Sequence, residues 1–440
     1  MAFCFLNALS WSRPRSLRRQ DPGRAPWTPR REDVVAYALR RRRSAYLEDC
    51  SEHRSVSSKK SVQAHPEAGG HHREAFNGPV WSGEPHPATN LADFDVVLYS
   101  PSKINVFLRV IRRRPDGFHE LATVMQAISL VDRIGFQELP AGASADVLEC
   151  NNAKVPLDKT NLIIRALDTF RTHSGSRKHY RVHLDKQIPT EAGLGGGSGN
   201  AATALFAANR LCGEPASNAD LIRWASEVGS DTAFFFSSGS AFCTGRGEQL
   251  HPIRPLAPTT VYIVKPRGVG LSTASVYRAL SLHELNREDR LDPHVLCEQM
   301  ERIGPLCAPL VNDLEGPAFA LMPPLRHLKT FLESFGFQRV LMSGSGTSFF
   351  ALGCPDSVHS ESFRNLVSNM GLQHAGPLQH LFPEGVDVFK CGFIHRDAEH
   401  FWYMENPAST KDDSRFTGQP PPSPPHTASR PDCLGDSPST

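Results

Sequence analysis

The chain has 440 residues, which is long enough for two domains with sizeable cores, and its formal net charge at neutral pH is only +2. Residues 1–45 contain eleven arginines, no lysine and three acidic residues, so the rest of the chain carries a charge of about −6. A mildly acidic folded part argues against a nucleic-acid-binding protein, and the absence of an eighteen-residue apolar run argues against a membrane-spanning helix.

The N-terminal segment has the composition of a targeting sequence. Its arginines alternate with Ser, Pro and Trp and few acidic residues occur, which is typical of an organelle transit peptide. The apolar start Met1–Leu9 also allows a signal sequence ahead of a transit segment, and a basic tail without a targeting role is a third alternative. Residues 1–94 are therefore predicted to be a targeting segment and disordered linker, and residues 406–440 a disordered proline-rich tail.

Between residues 95 and 405, strand and helix patterns mix without a strict β-α-β repeat. This predicts an α+β fold with two lobes, residues 95–255 and 256–405, rather than a doubly wound parallel sheet. Strand patterns lie at 96–100, 104–111, 123–136, 180–184, 261–265, 339–342 and 348–352. Helical patterns lie at 161–170 with Thr160 or Asn161 as cap, and at 200–211, 219–228 and 314–335, the last broken at Pro323–Pro324. The ten cysteines show neither C-x-x-C pairs nor zinc-site spacing, which predicts free thiols in a reducing compartment.

The most informative segment is glycine-rich and lies between a predicted strand and an alanine-rich helix. Its uncovered backbone N–H groups and the positive end of the following helix dipole are typical of a phosphate-binding loop. It is not a Walker loop, because no Gly-Lys-Ser/Thr follows, and it lacks the acidic partner of a dinucleotide fingerprint. A flexible linker is the alternative. The predicted ATP-binding residues of this glycine loop are Pro189, Gly193, Leu194, Gly195, Gly196, Gly197, Ser198 and Gly199.

The glycine loop resembles the phosphate-binding motif of the superfamily named for galactose, homoserine, mevalonate and phosphomevalonate kinases (GHMP kinases). Pro189, Gly193, Leu194, Ser198 and the pair 201–202 fit that motif. The resemblance implies a small-molecule kinase that uses ATP and Mg2+, with the metal ligands undetermined. It also implies a ribosomal-protein-S5-like N-terminal lobe, a ferredoxin-like C-terminal lobe and an active site between them.

Lys103 and Asp231 are the predicted catalytic residues. Lys103 precedes an alternating strand and Asp231 precedes an aromatic run, so each alone could be a solvated lysine or a helix-capping aspartate. The resemblance implies that Asp231 is the general base and that Lys103 orients it and stabilises developing charge. A carboxylate beside a lysine stays ionised, because the opposite charge favours its charged form.

The run 115–121, Pro-Asp-Gly-Phe-His-Glu-Leu, could be a simple hairpin turn, but Phe118 and His119 suit stacking and hydrogen bonding of a base. It resembles the cytidine-binding element of the 4-diphosphocytidyl-2-C-methyl-D-erythritol kinase family, a branch acting in non-mevalonate isoprenoid synthesis. The branch implies a small substrate with a cytidine diphosphate group, phosphorylated at its 2-hydroxyl in the plastid stroma after removal of a transit peptide. It also implies that Tyr277 is a second aromatic plate, which holds the cytosine opposite Phe118. The implied substrate-binding residues are Asn105, Phe118, His119, Thr273 and Tyr277, and those of a second glycine turn are Ser343, Gly344 and Gly346.

Five positions depart from the family pattern. Gly199 stands where a second serine is usual, so a hydroxyl for phosphate or Mg2+ is expected to be missing. Glu191 replaces a small residue and is expected to repel a triphosphate unless it turns outward or helps to hold the metal. The pair 232–233 replaces an apolar residue and proline, and Phe118 replaces tyrosine. Another GHMP kinase acting on mevalonate or homoserine, and an inactive nucleotide-binding relative, are the alternatives; the oligomeric state is not predicted.

Overall fold

The fold is described by a computed structural model of the chain. The described residues are 80–81, 91, 93–281, 285, 290–355, 359–360, 363, 378, 380–396 and 402–403. The predicted targeting segment lies outside them apart from a two-residue strand, β1 (Val80–Trp81), and a few residues near 91, and the predicted proline-rich tail lies outside them entirely. Within the described part of the chain, no helix is long and apolar enough to cross a bilayer.

The first lobe contains a mixed sheet covered by helices. Its strands are β2 (Val96–Arg113), β3 (His119–Glu138), β4 (Val147–Cys150), β5 (Tyr180–Asp185), β6 (Ser240–Thr244) and β7 (Gln249–Pro252). They are ordered β4-β5-β3-β6-β7, with β2 also paired to β3, and only the β4–β5 pairing is parallel. The helices are α1 (Leu162–Ser174), α2 (Gly196–Leu211) and α3 (Asn218–Val228), followed by a 3-10 helix (Ala233–Phe236).

The packing of this lobe follows from the pattern of its helices. In α1, Ile163, Ala166, Leu167 and Phe170 are buried at helical spacing and form one apolar stripe. In α2 half of the buried residues are alanines, whose small side chains let the helix lie close to β2. Burial of this apolar surface stabilises the lobe by removing it from water.

The second lobe contains an antiparallel sheet ordered β1-β11-β8-β10-β9, so the two-lobed α+β fold is confirmed. Its other strands are β8 (Thr260–Pro266), β9 (Arg339–Met342), β10 (Phe349–Leu352) and β11 (Val386–Gly392). Its helices include α4 (Thr273–Arg278), α5 (Pro293–Ile303), α6 (Glu315–Leu321) and α7 (Pro324–Glu333). The last strand of the first sheet ends at Pro252 and β8 begins at Thr260, while the boundary at residue 255 stays a prediction.

Several element boundaries differ from the sequence predictions. The two strands expected at 96–100 and 104–111 form one strand, because shifts in the pairing register after Pro101 and Asn105 let the strand continue past the proline. Helix α2 begins at Gly196, not Asn200, since packing outweighs the poor helix propensity of glycine. Asn161, not Thr160, caps α1 by accepting a hydrogen bond from the Ile163 N–H at 2.9 Å.

Candidate active site

One cavity of about 1840 Å³ is lined by residues of both lobes. Most of the predicted site residues reach it, although they come from segments more than 200 residues apart in the chain. Gly199 and Ser343 are the two that do not line it. Those that do are Lys103, Asn105, Phe118, His119, Pro189, Gly193, Leu194, Gly195, Gly196, Gly197, Ser198, Asp231, Thr273, Tyr277, Gly344 and Gly346.

The fold brings Lys103 and Asp231 into contact. The Lys103 Nζ lies 3.2 Å from the Asp231 Oδ2, and the lysine side chain is 4% exposed while that of the aspartate is 31% exposed. Lys103 also donates a hydrogen bond of 2.6 Å to the Asn105 Oδ1, and the Asn105 Nδ2 donates to the Thr123 Oγ1 at 2.9 Å. The chain of buried contacts holds the ammonium group in place beneath a carboxylate that still reaches the cavity.

Asp231 is positioned by buried segments on both sides of it. Helix α3 ends at Val228, and the 3-10 helix that follows Asp231 has all four residues buried, three of them phenylalanines. Thr232 is buried as well. Because these neighbours are packed in the core, the aspartate is the part of this turn that faces the cavity together with Ser230.

The glycine loop packs directly on Lys103. The Lys103 N–H donates a hydrogen bond of 2.8 Å to the Leu194 carbonyl. Gly195 precedes α2 in the left-handed conformation (φ 66°), and a Cβ there would stand 2.9 Å from the Lys103 Cε. Only glycine allows both the backbone angle and the approach of the lysine stem. The positive end of α2 and the ammonium group of Lys103 therefore lie at the same part of the cavity.

Gly199 requires a correction. It does not line the cavity, its N–H donates a helical hydrogen bond of 2.9 Å to the Gly195 carbonyl, and a Cβ on it would stand 2.3 Å from the Pro101 carbonyl oxygen. A serine side chain would therefore point toward the buried strand β2. The geometry argues against Gly199 as an ATP-binding residue and against the expectation that a hydroxyl is missing from the cavity.

The second glycine turn, residues 342–348, supports the first. The Ser343 hydroxyl donates to the Gly193 carbonyl at 2.9 Å and accepts a longer contact of 3.4 Å from the Asn105 N–H. The Nδ2 of the buried Asn312 donates to the carbonyls of Met342 and Gly344 at 2.8 Å each. Ser343 therefore does not line the cavity, and its contact with the Gly193 carbonyl supports the glycine loop.

The predicted aromatic residues all reach the cavity, and binding of cytosine between Phe118 and Tyr277 stays a prediction. His119 stacks on Tyr277, with ring centroids 4.9 Å apart and an angle of 29° between the rings. Phe118 is 55% exposed, and the Arg246 Cζ lies 5.1 Å from its ring centroid. Burial, with a smaller effect of the nearby Arg113, lowers the pKa of His119, so the imidazole is neutral at neutral pH.

Thr273 lies in the second lobe and its hydroxyl is 3.0 Å from the Ser345 hydroxyl.

The sequence analysis missed several further cationic residues of the cavity, among them Lys186, Lys265 and Arg246. Lys186 lies three residues before the first residue of the glycine loop and forms a 2.6 Å ion pair with the buried Asp132. Lys265 is buried, donates to the Thr347 hydroxyl at 2.7 Å, and burial lowers its pKa to about 8. Arg246 lies in the turn between β6 and β7. The proximity of Lys186 to the loop was visible in the sequence. Lys265 and Arg246 are distant from the loop in the chain, and only the tertiary fold brings them to the same cavity.

Glu191 turns toward the second lobe. It is exposed, its backbone is in the left-handed region (φ 51°), and a Cβ on Gly270 would stand 2.2 Å from its Oε2. Glu191 and Gly270 both line the cavity, so the expected effect of this carboxylate on a triphosphate stays a prediction. In the part of the chain that the structure describes, no group of three or more His, Cys, Asp or Glu side chains could hold a metal ion.

The chain is similar to known kinases. The family described as GHMP kinases N terminal domain matches residues 161–239. The 4-diphosphocytidyl-2-C-methyl-D-erythritol kinase of Protochlamydia amoebophila (strain UWE25) is 46% identical over 317 residues, which cover 72% of this chain and 96% of the relative.

A plant relative and a solved structure give the same family. The chloroplastic 4-diphosphocytidyl-2-C-methyl-D-erythritol kinase of Mentha piperita is 46% identical over 266 residues, which cover 59% of this chain and 64% of the relative. The crystal structure of a 4-(cytidine 5'-diphospho)-2C-methyl-D-erythritol kinase matches with a TM-score of 0.52 and 31% identity, over 67% of this chain and 99% of that one.

Proposed function

This chain belongs to the 4-diphosphocytidyl-2-C-methyl-D-erythritol kinase family, and we therefore propose that it transfers the γ-phosphoryl group of ATP to the 2-hydroxyl of 4-diphosphocytidyl-2-C-methyl-D-erythritol, in the non-mevalonate isoprenoid pathway. The observation that carries the proposal is the 3.2 Å contact between Lys103 and Asp231, in the cavity that also contains the glycine loop and the His119–Tyr277 pair.

In the proposed reaction, Asp231 accepts the proton of the substrate 2-hydroxyl while the oxygen of that hydroxyl bonds to the γ-phosphorus. The bond from the γ-phosphorus to the β–γ bridging oxygen breaks, and ADP leaves. Phosphoryl transfer of this kind depends mostly on positioning and on stabilisation of charge. Lys103 has three N–H donors, of which Asn105 and Asp231 occupy two. The third is suited to a phosphate oxygen.

The nucleotide is proposed to lie along the glycine loop, with its triphosphate at the start of α2. Here the N–H groups of the first helical turn, Lys103 and Lys186 surround the same part of the cavity. The cavity continues past Asn152, Lys154 and Leu162. That extension offers space for the adenosine end of ATP.

The residues present fit a magnesium ion that arrives with the triphosphate. Mg2+ usually keeps several waters and binds one or two protein oxygens besides substrate phosphates, so it needs no dedicated cluster of carboxylates. Ser198 lines the cavity at the start of α2 and is the candidate protein ligand. When bound, the ion would neutralise charge on the phosphate oxygens.

The cytidine end is proposed to bind at Phe118 and His119. The exposed ring of Phe118 offers a stacking surface, and the neutral imidazole of His119 can hydrogen-bond the polar edge of the base. Tyr277 supports the imidazole from the second lobe. Mevalonate and homoserine contain no base to stack, so this surface favours the cytidine-containing substrate over theirs.

A plastid location is the corresponding proposal for the whole chain. It is supported by the arginine-rich, acid-poor N-terminal segment and by the chloroplastic name of the Mentha piperita relative. Imaging a fusion of residues 1–95 to a fluorescent reporter tests it. A reporter that stays outside plastids would contradict it.

A coupled assay of ADP release with ATP, Mg2+ and 4-diphosphocytidyl-2-C-methyl-D-erythritol tests the activity. We expect turnover that depends on the cytidine substrate and is inhibited by cytidine diphosphate. Turnover of mevalonate or homoserine without inhibition by cytidine diphosphate would favour another GHMP kinase. Tight binding of ATP by the folded protein without any transfer would contradict the proposed activity.

A further inference from the structure

Asp132, in β3, is a buried carboxylate at which both ends of the glycine loop meet; it is 0% exposed. Its Oδ2 accepts hydrogen bonds from the Lys186 Nζ at 2.6 Å and from the Asn200 Nδ2 at 2.8 Å. Its Oδ1 accepts from the N–H groups of Gln187 at 2.7 Å and Ile188 at 2.8 Å. Lys186 to Ile188 directly precede the loop, and Asn200 follows it in α2. The four contacts therefore fix the loop from both sides.

The charges at this point need such a carboxylate. A Cβ on Gly196, the first residue of α2, would stand 3.0 Å from the Lys186 Nζ. An ammonium group beside the positive end of a helix dipole is unfavourable unless an anion lies near. Asp132 supplies that anion through its ion pair with Lys186. Lys186 and Gly196 both line the cavity, where a triphosphate would lie.

We propose that Asp132 is a positioning residue for ATP. It holds the Lys186 ammonium group and the flanks of the glycine loop in the conformation that accepts a triphosphate before the nucleotide arrives. Asp132 does not line the cavity, so it acts only through Lys186, the backbone of 187–188 and Asn200. The inference rests on the proposed function, because it requires ATP as the ligand.

A purely structural role for the buried ion pair is the competing explanation, and the chain contains a matched control. Asp146 has a side chain that is 1% exposed, and it accepts hydrogen bonds from the Arg171 guanidinium at 2.7 and 3.1 Å and from the Tyr180 N–H at 2.9 Å. It resembles Asp132 in burial, charge and backbone contacts, but its partners Arg171 and Tyr180 do not line the cavity, whereas Lys186 and Asn200 do. Loss of its carboxylate should affect stability alone.

The experiment compares Asp132→Asn, Asn200→Ala and Asp146→Asn in the full chain. For each we would measure kcat, KM for ATP, KM for the cytidine substrate, the thermal midpoint and equilibrium ATP binding. Asn200→Ala leaves the Asp132–Lys186 ion pair intact, so it tests the idea even if Asp132→Asn fails to fold. A lost hydrogen bond to a charged group predicts about a tenfold rise in KM for ATP in both loop variants, with KM for the cytidine substrate unchanged.

Asp146→Asn is expected to lower the thermal midpoint with both KM values unchanged. An unchanged KM for ATP in Asn200→Ala, or an equal rise in Asp146→Asn, would overturn the inference. If the unmodified protein binds ATP but transfers nothing, the proposed function fails, and weaker ATP binding by the two loop variants would still support the role of Asp132. If the unmodified protein does not bind ATP, both fail.

Discussion

The two ends of the cavity are built in different ways. At the glycine loop, the side chains of Lys103, Asn105, Ser343 and Asp132 are buried. Lys103 pairs with Asp231 and Asn105, Ser343 binds the Gly193 carbonyl, and Asp132 joins both flanks of the loop. At the other end, Phe118 is 55% exposed and Arg246 reaches its ring from a surface turn. Phosphoryl transfer depends on prearranged charge, whereas stacking a base needs only an accessible aromatic surface. Substitutions at the two ends should therefore have separable effects on kcat and on the KM of each substrate.

The largest expected effect is on the catalytic end. Asp231→Asn removes the proton acceptor and is expected to lower kcat by about 10²–10⁴-fold with little change in either KM. Steady-state kinetics with both substrates measures this. Asp387→Asn is the matched control, because Asp387 also lines the cavity but pairs with Arg267 at 2.6 Å. A similar loss of kcat in both variants would contradict a specific role for Asp231.

The cytidine end is expected to respond in KM. Phe118→Ala removes the stacking surface and should raise KM for the cytidine substrate about tenfold, with KM for ATP unchanged, since one stacked base contributes about 1–3 kcal/mol. Phe118→Tyr keeps the ring and should stay close to the unmodified protein. An equal rise in both KM values would show that the two ends are not separable.

Gly199 tests the packing beneath the loop. Gly199→Ser forces a side chain against the Pro101 carbonyl and is expected to lower the free energy of unfolding by about 1–3 kcal/mol, measured by denaturant titration. Gly197→Ser is the control for stability, because a Cβ there would meet only the Leu162 Cδ1 at 3.5 Å. Tighter ATP binding by a Gly199→Ser variant of unchanged stability would restore the original expectation of a missing hydroxyl.

The smallest expected effect is that of pH on His119. Burial lowers the pKa of His119 in the folded protein below the ordinary value of 6.5, so the fold favours the neutral ring. As the pH falls through that lowered pKa, the ring becomes protonated and the proposed hydrogen bond of the neutral imidazole to the base is lost. KM for the cytidine substrate should stay constant from pH 8 to about 6.5 and rise only at lower pH. His119→Gln should raise KM but flatten this dependence. A pH dependence that persists in the variant would assign it to another group.

Sequence patterns predicted the fold and the members of the site more closely than their arrangement. The glycine loop apart from Gly199 reaches one cavity together with Lys103, Asp231 and His119, because short motifs at strand and helix ends require particular residue types. The structure stacks His119 on Tyr277 and places Arg246 against Phe118, contacts that no local pattern specifies, while cytosine binding between Phe118 and Tyr277 stays a prediction. The role of Gly199 was misplaced because helix α2 begins earlier than glycine propensity predicts.

The sequence alone determined the family, the α+β fold class and the residue types at the reacting centre, since these depend on local motifs and on hydrophobic periodicity. Only the tertiary structure placed Lys103 against Asp231, which are 128 positions apart, and Asp132 beneath a loop that begins 57 positions later. It also gave Lys186 its buried partner and turned Glu191 toward Gly270. Ion pairs and hydrogen bonds between distant segments follow from the packing of strands and helices, and no local pattern specifies which buried carboxylate meets which lysine.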